Sequence, residues 1–443
     1  MRKRTLYLAI GLLVAMMLCS TTAVFANGSE EKVTNTDEGT VTLTFWDENA
    51  GPNRTPYYQQ MIAKFEAENP TIKVNYVGLP WSDAKSKYDV AIQSKTTPDV
   101  GGVAQTWISD FVINDALLPL DDYFNNWANK DDMIKGYLDG NRSCAPDGKL
   151  YVLNNTANIP VLWYRKDLFE KAGIPAPKTW DEVFADIEKT SDPANRKFGF
   201  SIRGGSGGVQ LLEQMMYSYS GINGEFDENG KCTINAPANV ECVERLASIY
   251  NKYTPESDIT NGYKEMVAAF DTGVATMIYH NLGSYGEHMK TLGAGKFAAI
   301  TDLEGKSGKH IIAANGCIGY GIFKTTKHPK EAFKLVAFFN DAEQNLFWNE
   351  NIGQLPTNKI ALDSDFIHNT QHIQSAATAT SNPNVEMFTV PIYLPGYSDL
   401  VGNELVPMFQ DVLLGNKSAK EFLNYWNDAV TKLKTEYDTY FNK

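Results

Sequence analysis

The segment from residue 40 to residue 78 limits the possible folds more than any other part of the chain. Apolar and polar residues alternate at positions 41 to 45 and again at 72 to 76, which predicts two half-buried strands. Between them, apolar residues from 58 to 65 recur at helical spacing, and Pro70 ends this helix because it excludes the preceding residue from the α region. A strand, loop, helix and strand in this order are typical of an open α/β sheet, where ligands bind at the carboxyl ends of the strands.

Further segments follow in a defined order along the chain. They are TPDV at 97–100, LLPLDDYF at 117–124, GKLYVLNNTANIPVLWYRKDLFEKAGIPAPKTWDEV at 148–183, ATMIYHNLGSYG from 275 and IGYGIFKTTKHPKEAFKLVAFF from 318. In order and spacing, these segments resemble the extracellular solute-binding proteins of ABC importers, and most of all the sugar-binding group that includes maltose- and multiple-sugar-binding proteins. The resemblance covers residues 40 to 440, and the ordered set carries it rather than any single motif.

This resemblance implies an α/β protein with the two-lobe periplasmic binding protein fold. Each lobe is expected to be a sheet flanked by helices, with a hinge of two or three crossing segments. The expected divisions are a signal peptide at 1–26, a disordered leader at 27–39, a first lobe from 40–150 and 308–360, and a second lobe from 151–307 and 361–443. A chain of this length is also expected to form more than one domain.

The family resemblance implies a function without chemistry. The protein is expected to capture a mono- or oligosaccharide in the cleft between the lobes and to deliver it to the permease subunits of an ABC transporter. The resemblance implies neither a cofactor nor a metal, and we expect a monomer.

The N-terminus predicts export. Basic residues at 2 to 4 precede an apolar run at 6 to 18 that is too short for a typical membrane span. Small side chains at Val24 and Ala26 predict cleavage after Ala26, so we expect a periplasmic protein. The residues before Cys19 lack the small residue and the leucine usual before a lipidated cysteine, which disfavours the alternative of a lipid anchor.

Charge and cysteine content narrow the functional class. The formal net charge is −13, and removing a signal peptide with three positive charges gives −13 − 3 = −16, which argues against nucleic acid and anionic membranes as partners.

Four cysteines remain after cleavage, at 144, 232, 242 and 317. They allow three disulfide pairings, and buried free thiols are an equal alternative. CxxC and HExxH motifs are absent from the sequence, which gives no indication of a metal site.

Candidate ligand contacts follow from the chemistry of a sugar, which offers C–H faces to aromatic rings and hydroxyl pairs to short polar side chains. Loop tryptophans with polar neighbours are expected to be exposed stacking faces. The position of His280, Asn281 and Tyr285 is the one where the family often carries a Gly-aromatic pair facing the cleft. The full candidate set is Trp46, Asp47, Glu48, Trp81, Gln105, Trp107, Asn155, Asn158, Arg203, His280, Asn281, Tyr285, Asn315, Gln354 and Tyr397. Tryptophans with apolar or helical neighbours are assigned to the core, namely Trp163, Trp180, Trp348 and Trp426.

Two alternatives stay open. The same fold could bind another solute, such as a polyamine, iron or a sugar phosphate. A secreted glycoside hydrolase would need a pair of carboxylates, for which Asp47 and Glu48 are the available candidates. Adjacent residues at the end of a strand point in opposite directions, so they are poorly placed for such a pair.

Overall fold

The computed structural model describes residues 39–314 and 317–441. By the contacts among its residues, the chain divides into one unit of residues 1–41 and another of residues 42–443. The predicted signal peptide with Cys19 and Ala26, all but the last residue of the predicted leader, and the candidate residue Asn315 lie outside the described residues. In the described part of the chain, no helix combines the length and the apolar character needed to cross a membrane.

The first lobe is built on a six-stranded sheet with the strand order β11-β4-β10-β3-β1-β2. Strands β1 and β3 are parallel, whereas β10 is antiparallel to both of its neighbours, β3 and β4. The strands are β1 (Val41–Asp47), β2 (Ile72–Gly78), β3 (Val100–Ala104), β4 (Val152–Ala157), β10 (Cys317–Ile322) and β11 (Leu355–Pro356). The flanking helices are α1 (Thr55–Glu68), α2 (Trp81–Ser94), α3 (Ile108–Ile113), α4 (Asp121–Asn125), α5 (Lys135–Ser143), α12 (Pro329–Asn340), α13 (Ala342–Ile352) and α14 (Lys359–Leu362).

The second lobe contains a four-stranded sheet of order β6-β7-β5-β8 and a parallel pair, β12-β9. Its strands are β5 (Pro160–Tyr164), β6 (Phe198–Ser201), β7 (Ala275–Asn281), β8 (Ala298–Ile300), β9 (His310–Ala314) and β12 (Val385–Thr389). Its helices are α6 (Lys166–Ala172), α7 (Trp180–Lys189), α8 (Gly208–Ser220), α9 (Pro237–Ile249), α10 (Tyr263–Asp271), α11 (Tyr285–Leu292), α15 (Asp365–Asn369), α16 (Gln371–Ser381), α17 (Tyr397–Asp399), α18 (Leu405–Leu413) and α19 (Ala419–Phe441). Short 3₁₀ turns lie at Gln105–Trp107, Lys130–Asp132, Pro193–Asn195, Glu256–Ile259 and Leu282–Ser284, and one π turn at Leu400–Glu404.

The chain passes between the two sheets at more than one place. Asn158 and Ile159 connect β4 of the first sheet to β5 of the second. Residues 315–316 separate β9, which pairs with β12, from β10 in the first sheet. The chain leaves the first sheet again after β11 and α14, and α16 then packs against β8. The residue boundaries predicted for the two lobes remain a prediction.

Several local predictions are confirmed. Helix α1 buries Tyr58, Met61, Ile62 and Phe65 and ends at Glu68, just before Asn69-Pro70. The sequence from Thr179 to Glu182 predicts a capping box at the start of α7. This box is formed, since the Thr179 hydroxyl accepts from the Glu182 amide and the Glu182 carboxylate accepts from the Thr179 amide.

The apolar run from 311 to 323 predicts one continuous strand. This prediction is wrong, because the run forms β9 and β10 in two different sheets. The Asn315-Gly316 dipeptide between them is a turn signal that the apolar pattern obscures.

The core assignments hold for the large side chains. Trp163, Trp180, Trp348 and Trp426 are all fully buried. The four cysteines at 144, 232, 242 and 317 are free thiols, so of the two alternatives the structure has the unpaired one.

Candidate functional site

Two adjacent carboxylates stand at the carboxyl end of β1, beside the parallel strand β3. Both Asp47 and Glu48 are fully buried, and they have separate partners. Asp47 accepts the Tyr76 hydroxyl at 2.6 Å and the Asn49 amide at 3.0 Å, whereas Glu48 pairs with Arg54 at 3.4 Å. Glu48 occupies the space left by a missing side chain, because a Cβ on Gly102 of β3 would lie 1.8 Å from its Oε2.

An arginine at the N-terminal end of α1 completes this cluster. The Arg54 guanidinium lies 4.8 Å from the ring centroid of Trp348 on α13, which is a cation–π contact. Tyr58, on α1, places its ring centroid 4.0 Å from that of Trp348. Sequence analysis missed Arg54 altogether, and assigned Trp348 only to the core.

A hydrogen-bonded chain links the cluster to β4. The Tyr320 hydroxyl donates to the Tyr58 hydroxyl at 3.2 Å and accepts from the Asn155 side-chain amide at 2.6 Å. The Asn155 backbone carbonyl accepts from Asn345 and Asn349 of α13. The candidate Asn155 therefore lies next to the crossing at Asn158. Tyr320 of β10 holds its side-chain amide, and α13 holds its backbone carbonyl.

The cluster contains buried polar atoms that have no protein partner among the described residues. They are Glu48 Oε2, Arg54 Nε, Asn155 Oδ1 and Trp348 Nε1. Two are acceptors and two are donors, so together they match a ligand that both donates and accepts hydrogen bonds. An unpaired buried polar group costs about 1–3 kcal/mol, and this cost is removed when a ligand supplies the missing partner. We refer to Glu48, Arg54, Asn155 and Trp348 as the polar wall.

Burial sets the protonation of the polar wall. Loss of hydration, with the neighbouring negative charge of Asp47 as the second cause, raises the pKa of Glu48 to about 7, although Arg54 acts in the opposite direction. Burial likewise raises the pKa of Asp47, against the effects of Arg54 and Tyr76. The positive charge of Arg54 therefore acts on both carboxyl groups, and Glu48 takes up a proton close to neutral pH.

Tyr263 of the second lobe lies within the electrostatic influence of Arg54. Burial and the carboxylate of Glu287 raise the pKa of the Tyr263 hydroxyl, while the positive charges of Arg54 and Arg203 lower it. The ring of Tyr263 lies 5.1 Å from that of the candidate His280. Arg54 from one lobe and Arg203 from the other thus act on one phenol, which was not among the predicted residues.

The candidates His280 and Arg203 lie beside Tyr263. His280 is buried, and its Nδ1 lies 3.2 Å from the Ser284 hydroxyl. Burial and then the charge of Arg203 lower the pKa of His280 well below its usual range, so this imidazole is neutral. Arg203 donates from Nε to the Ser206 carbonyl at 2.5 Å, and no acidic side chain within the described ranges forms an ion pair with it.

Four other candidates meet at the crossing rather than at the polar wall. The side-chain oxygens of Asn158 and Asn281 both accept from the Gly283 amide, at 3.2 and 3.0 Å. Gln354 accepts the Thr156 hydroxyl at 2.6 Å. The ring of Tyr285 stacks on His372 at 3.8 Å. Each of these side chains thus has a partner within the protein, a backbone amide, a hydroxyl or a ring.

The loop tryptophans differ from expectation. The prediction of an exposed face at Trp107 is wrong, because its side chain is 5% exposed and packs in the hydrophobic core. It stacks on the half-buried Trp81 at 5.2 Å between ring centroids. Trp46 packs at 5.3 Å against Tyr88 of α2. All three rings therefore pack against other aromatic rings of the first lobe. Their contact with a ligand remains a prediction.

Gln105 and Tyr397 complete the described candidates. Gln105 is buried in the 3₁₀ turn that follows β3. Tyr397 is also buried, and its hydroxyl contacts the carboxyl groups of Glu213 and Glu225. Neither reaches the polar wall by a hydrogen bond recorded in the described residues. Within residues 39–314 and 317–441, no group of three or more His, Cys, Asp or Glu side chains is arranged to hold a metal ion.

Comparison with known proteins identifies the family of this chain. The model of the bacterial extracellular solute-binding proteins matches residues 51–346. A protein of Brucella abortus named as a binding protein is 26% identical over 421 residues, which cover 89% of this chain and 94% of that protein. The arabinooligosaccharide-binding protein of Bacillus subtilis is 26% identical over 343 residues, which cover 75% of this chain and 76% of the relative.

Solved structures agree on the fold. The GacH receptor of Streptomyces glaucescens, determined both unliganded and with acarbose, superimposes with a TM-score of 0.77 at 20% identity. The match covers 89% of this chain and 98% of the receptor. Such low identity supports the two-lobe architecture alone. With the family model matched over more than half of its length, the chain belongs to the bacterial extracellular solute-binding proteins.

Proposed function

We propose that this protein captures a carbohydrate at the polar wall and delivers it to the permease subunits of an ABC importer. The single observation that carries this proposal is the set of unpartnered buried atoms in Glu48, Arg54, Asn155 and Trp348. A sugar hydroxyl both donates and accepts, so neighbouring hydroxyls can satisfy a carboxylate, a guanidinium, an amide oxygen and an indole N–H together. The named ligands of the relatives, an arabinooligosaccharide and acarbose, are of the same chemical class.

The ligand is proposed to close the protein. A ligand that contacts the polar wall in the first lobe and Tyr263, His280 or Arg203 in the second binds the closed form better than the open form. This difference in affinity drives closure. The remaining candidates, including Trp46, Trp81, Gln105, Trp107, Asn158, Asn281, Tyr285, Asn315, Gln354 and Tyr397, are proposed to shape the surrounding cleft.

Export, monomeric state and lack of catalysis belong to the same proposal. We propose that the mature protein begins at Asn27 and works in the periplasm as a monomer. Asp47 is held by Tyr76 and Asn49, and Glu48 by Arg54, so neither acid is presented as half of a catalytic pair. The bound sugar is therefore expected to be released unchanged.

A thermal-unfolding screen tests the ligand class. Monosaccharides, arabino-oligosaccharides and malto-oligosaccharides should be compared with polyamines, ferric ion and sugar phosphates. A ligand at a hundred times its Kd adds about 2.7 kcal/mol to the free energy of unfolding. The expected result is stabilisation by a neutral sugar that is lost in Glu48→Ala. Stabilisation by a phosphate, ferric ion or a polyamine alone would overturn the proposal.

Incubation with the best-binding oligosaccharide tests for catalysis. No new reducing ends are expected. Turnover that disappears in Asp47→Asn or Glu48→Gln would establish a glycoside hydrolase instead.

A further inference from the structure

Two carboxyl groups and one phenol meet inside the second lobe, away from the polar wall. Glu213 projects from the middle of α8, Glu225 follows that helix, and Tyr397 belongs to α17. The Tyr397 hydroxyl contacts Glu213 Oε1 and lies 2.7 Å from Glu225 Oε1. All three side chains are buried, and the second oxygen of each carboxyl group has no partner in the described residues.

Counting hydrogens shows that this cluster must hold an additional proton. A phenol has one proton to donate, yet its oxygen is within hydrogen-bond distance of two carboxyl oxygens. If both carboxyl groups were ionised, only one could accept from Tyr397, and the other would face an oxygen lone pair. If one is protonated, it donates to the Tyr397 oxygen, and Tyr397 donates to the other. The same count leaves one negative charge rather than two in an apolar interior.

The surroundings supply no compensating cation. The groups that face the cluster are Tyr217 from α8, Cys232 from the loop before α9, and Tyr393 from the segment before α17. On α19, Lys434 lies 6.0 Å from the ring of Phe226 and is paired with Asp438. No ion pair to Glu213 or Glu225 occurs in the described part of the chain. Burial raises the pKa of both carboxyl groups, that of Glu225 well above its ordinary value.

Tyr397 belongs to a segment that reaches across to the first lobe. We call residues 393–399 the tongue. The Tyr393 carbonyl accepts the Ser109 hydroxyl at 2.7 Å, the Gly396 amide donates to Asp110 at 3.0 Å, and the Ser398 hydroxyl donates to the Thr106 carbonyl at 2.6 Å. Both ends of the tongue continue into the second lobe, through β12 and α18. The tongue is thus a contact between lobes, and the buried Tyr397 hydroxyl anchors it in the second lobe.

We propose that Glu213 and Glu225 are positioning residues that share one proton, dock the tongue against the first lobe, and make lobe closure depend on pH. The step is a simple deprotonation, in which the shared proton leaves to solvent and two carboxylates remain beside one phenol. Their repulsion releases Tyr397, and the tongue loses its contacts with Thr106, Ser109 and Asp110. The effect on ligand affinity rests on the proposed function, whereas docking of the tongue does not.

Hydrogen exchange at the tongue, without any ligand, is the first test. The protection factor of the Gly396 amide should be measured from pH 5 to pH 9. Because this factor is a ratio to the intrinsic exchange rate, it is free of the intrinsic pH dependence of exchange. We expect it to fall by up to about tenfold per pH unit once the cluster loses its proton. In Glu225→Gln, which keeps a donor and cannot ionise, the protection factor should stay constant over this range.

A matched control separates this effect from that of removing any acidic side chain. Glu241 on α9 also accepts a tyrosine hydroxyl, that of Tyr219 at 2.6 Å, but it pairs with Lys306 and is only partly buried. Glu241→Gln should behave as the parent does. A pH-independent parent, or a Glu225→Gln profile identical to that of the parent, would overturn the proposal.

Infrared spectroscopy keeps the idea testable if Glu225→Gln fails to fold. At neutral pH, the parent should show the carbonyl stretch of a protonated carboxylic acid, which disappears on alkaline titration and is reduced in Glu213→Gln. Absence of that band in the folded parent would also overturn the proposal. If these ligand-free results hold while no carbohydrate binds at any pH, the proposed function fails and the role of the cluster stands.

Discussion

At the scale of single residues, the polar wall combines burial with incomplete hydrogen bonding. Trp348 illustrates this, since its ring is packed between Arg54 and Tyr58 while its Nε1 has no partner. A buried donor without an acceptor is unfavourable, and at Trp348 this cost is removed if the ligand proposed for the polar wall supplies the acceptor. The same ring can therefore serve the core with its faces and the ligand with its edge.

Replacing Trp348 by Phe should separate these two roles. The change keeps an aromatic ring but removes the N–H, so affinity for the carbohydrate should fall roughly twofold to tenfold, the effect of one net hydrogen bond of about 0.5–1.5 kcal/mol. Titration calorimetry measures the difference. Trp426 is the matched control, because it is equally buried in the second lobe and its Nε1 also lacks a partner. Trp426→Phe should leave affinity unchanged, and an equal loss in both variants would contradict a ligand contact at Trp348.

The protonation of Glu48 should appear in the stability of the unliganded protein. Burial, with Asp47 as the second cause, raises its pKa from 4.5 to about 7. Between these values the folded state binds more protons than the unfolded state, so the free energy of unfolding should fall as the pH rises. At about 1.36 kcal/mol per pH unit, the loss across this window is on the order of 3 kcal/mol. Denaturant titrations should show a smaller pH dependence in Glu48→Gln, and an unchanged slope would show that Glu48 is already ionised at pH 5.

At the scale of secondary-structure elements, β3 makes room for the polar wall. Its sequence VGGVA places glycine at 101 and 102, and a Cβ at either position would collide with Tyr88 or Glu48. Glycine normally weakens a strand, and it is retained where another group approaches closely. The glycines of β3 therefore leave room for the carboxylate of Glu48 at the end of β1.

Gly102→Ala should displace Glu48. The new methyl group would lie 1.8 Å from Glu48 Oε2 in the present arrangement, so the carboxylate must move. Carbohydrate affinity should fall by at least about tenfold, and much less when the same change is made in a Glu48→Ala background. A double-mutant cycle by calorimetry measures this coupling. The control is Gly136→Ala on α5, where nothing lies within 4 Å of the new methyl group. Equal losses in both backgrounds would mean that Gly102 acts independently of Glu48.

The elements were predictable from sequence to the extent that their signals are local. The alternation in β1, the helical spacing of α1 and the capping box before α7 each depend on a few neighbouring residues, and all are formed. The polar wall is different, because Arg54 acquires its role from Trp348 on α13. No spacing rule relates these positions. His372 is a second example, because it is buried against Tyr285 of α11, a contact that no local pattern predicts.

At the scale of the whole molecule, the two lobes are joined by hydrogen bonds as well as by the segments of chain that cross between them. The tongue supplies two of these hydrogen bonds through the hydroxyls of Ser109 and Ser398. Both bonds join side chains to backbone carbonyls, so removing the hydroxyls leaves the cores of both lobes intact. They are suited to testing the closed form without disturbing either lobe.

The Ser109→Ala, Ser398→Ala double variant should weaken the closed form. Two hydrogen bonds of about 1 kcal/mol each correspond to an affinity loss of roughly thirtyfold, expressed mainly as faster release of the ligand. Stopped-flow kinetics measures the release rate. Ser143→Ala and Ser248→Ala are controls, because each hydroxyl bonds within its own helix. A double variant that releases ligand at the parental rate would show that the tongue is not part of the closing contact.

The order of strands in the first sheet also determines when that sheet can form. Strand β10 lies between β3 and β4 and is the only one of the three that hydrogen-bonds to both of the others in the described chain. During synthesis, β1, β2 and β3 emerge early, but the sheet cannot be completed until β10 and then β11, which ends at residue 356, have been made. Pairing over such sequence separations is slow. The first sheet of the nascent chain therefore stays incomplete for most of translation, and an incomplete sheet suits the export that we propose, in which the chain is threaded through a narrow secretion channel.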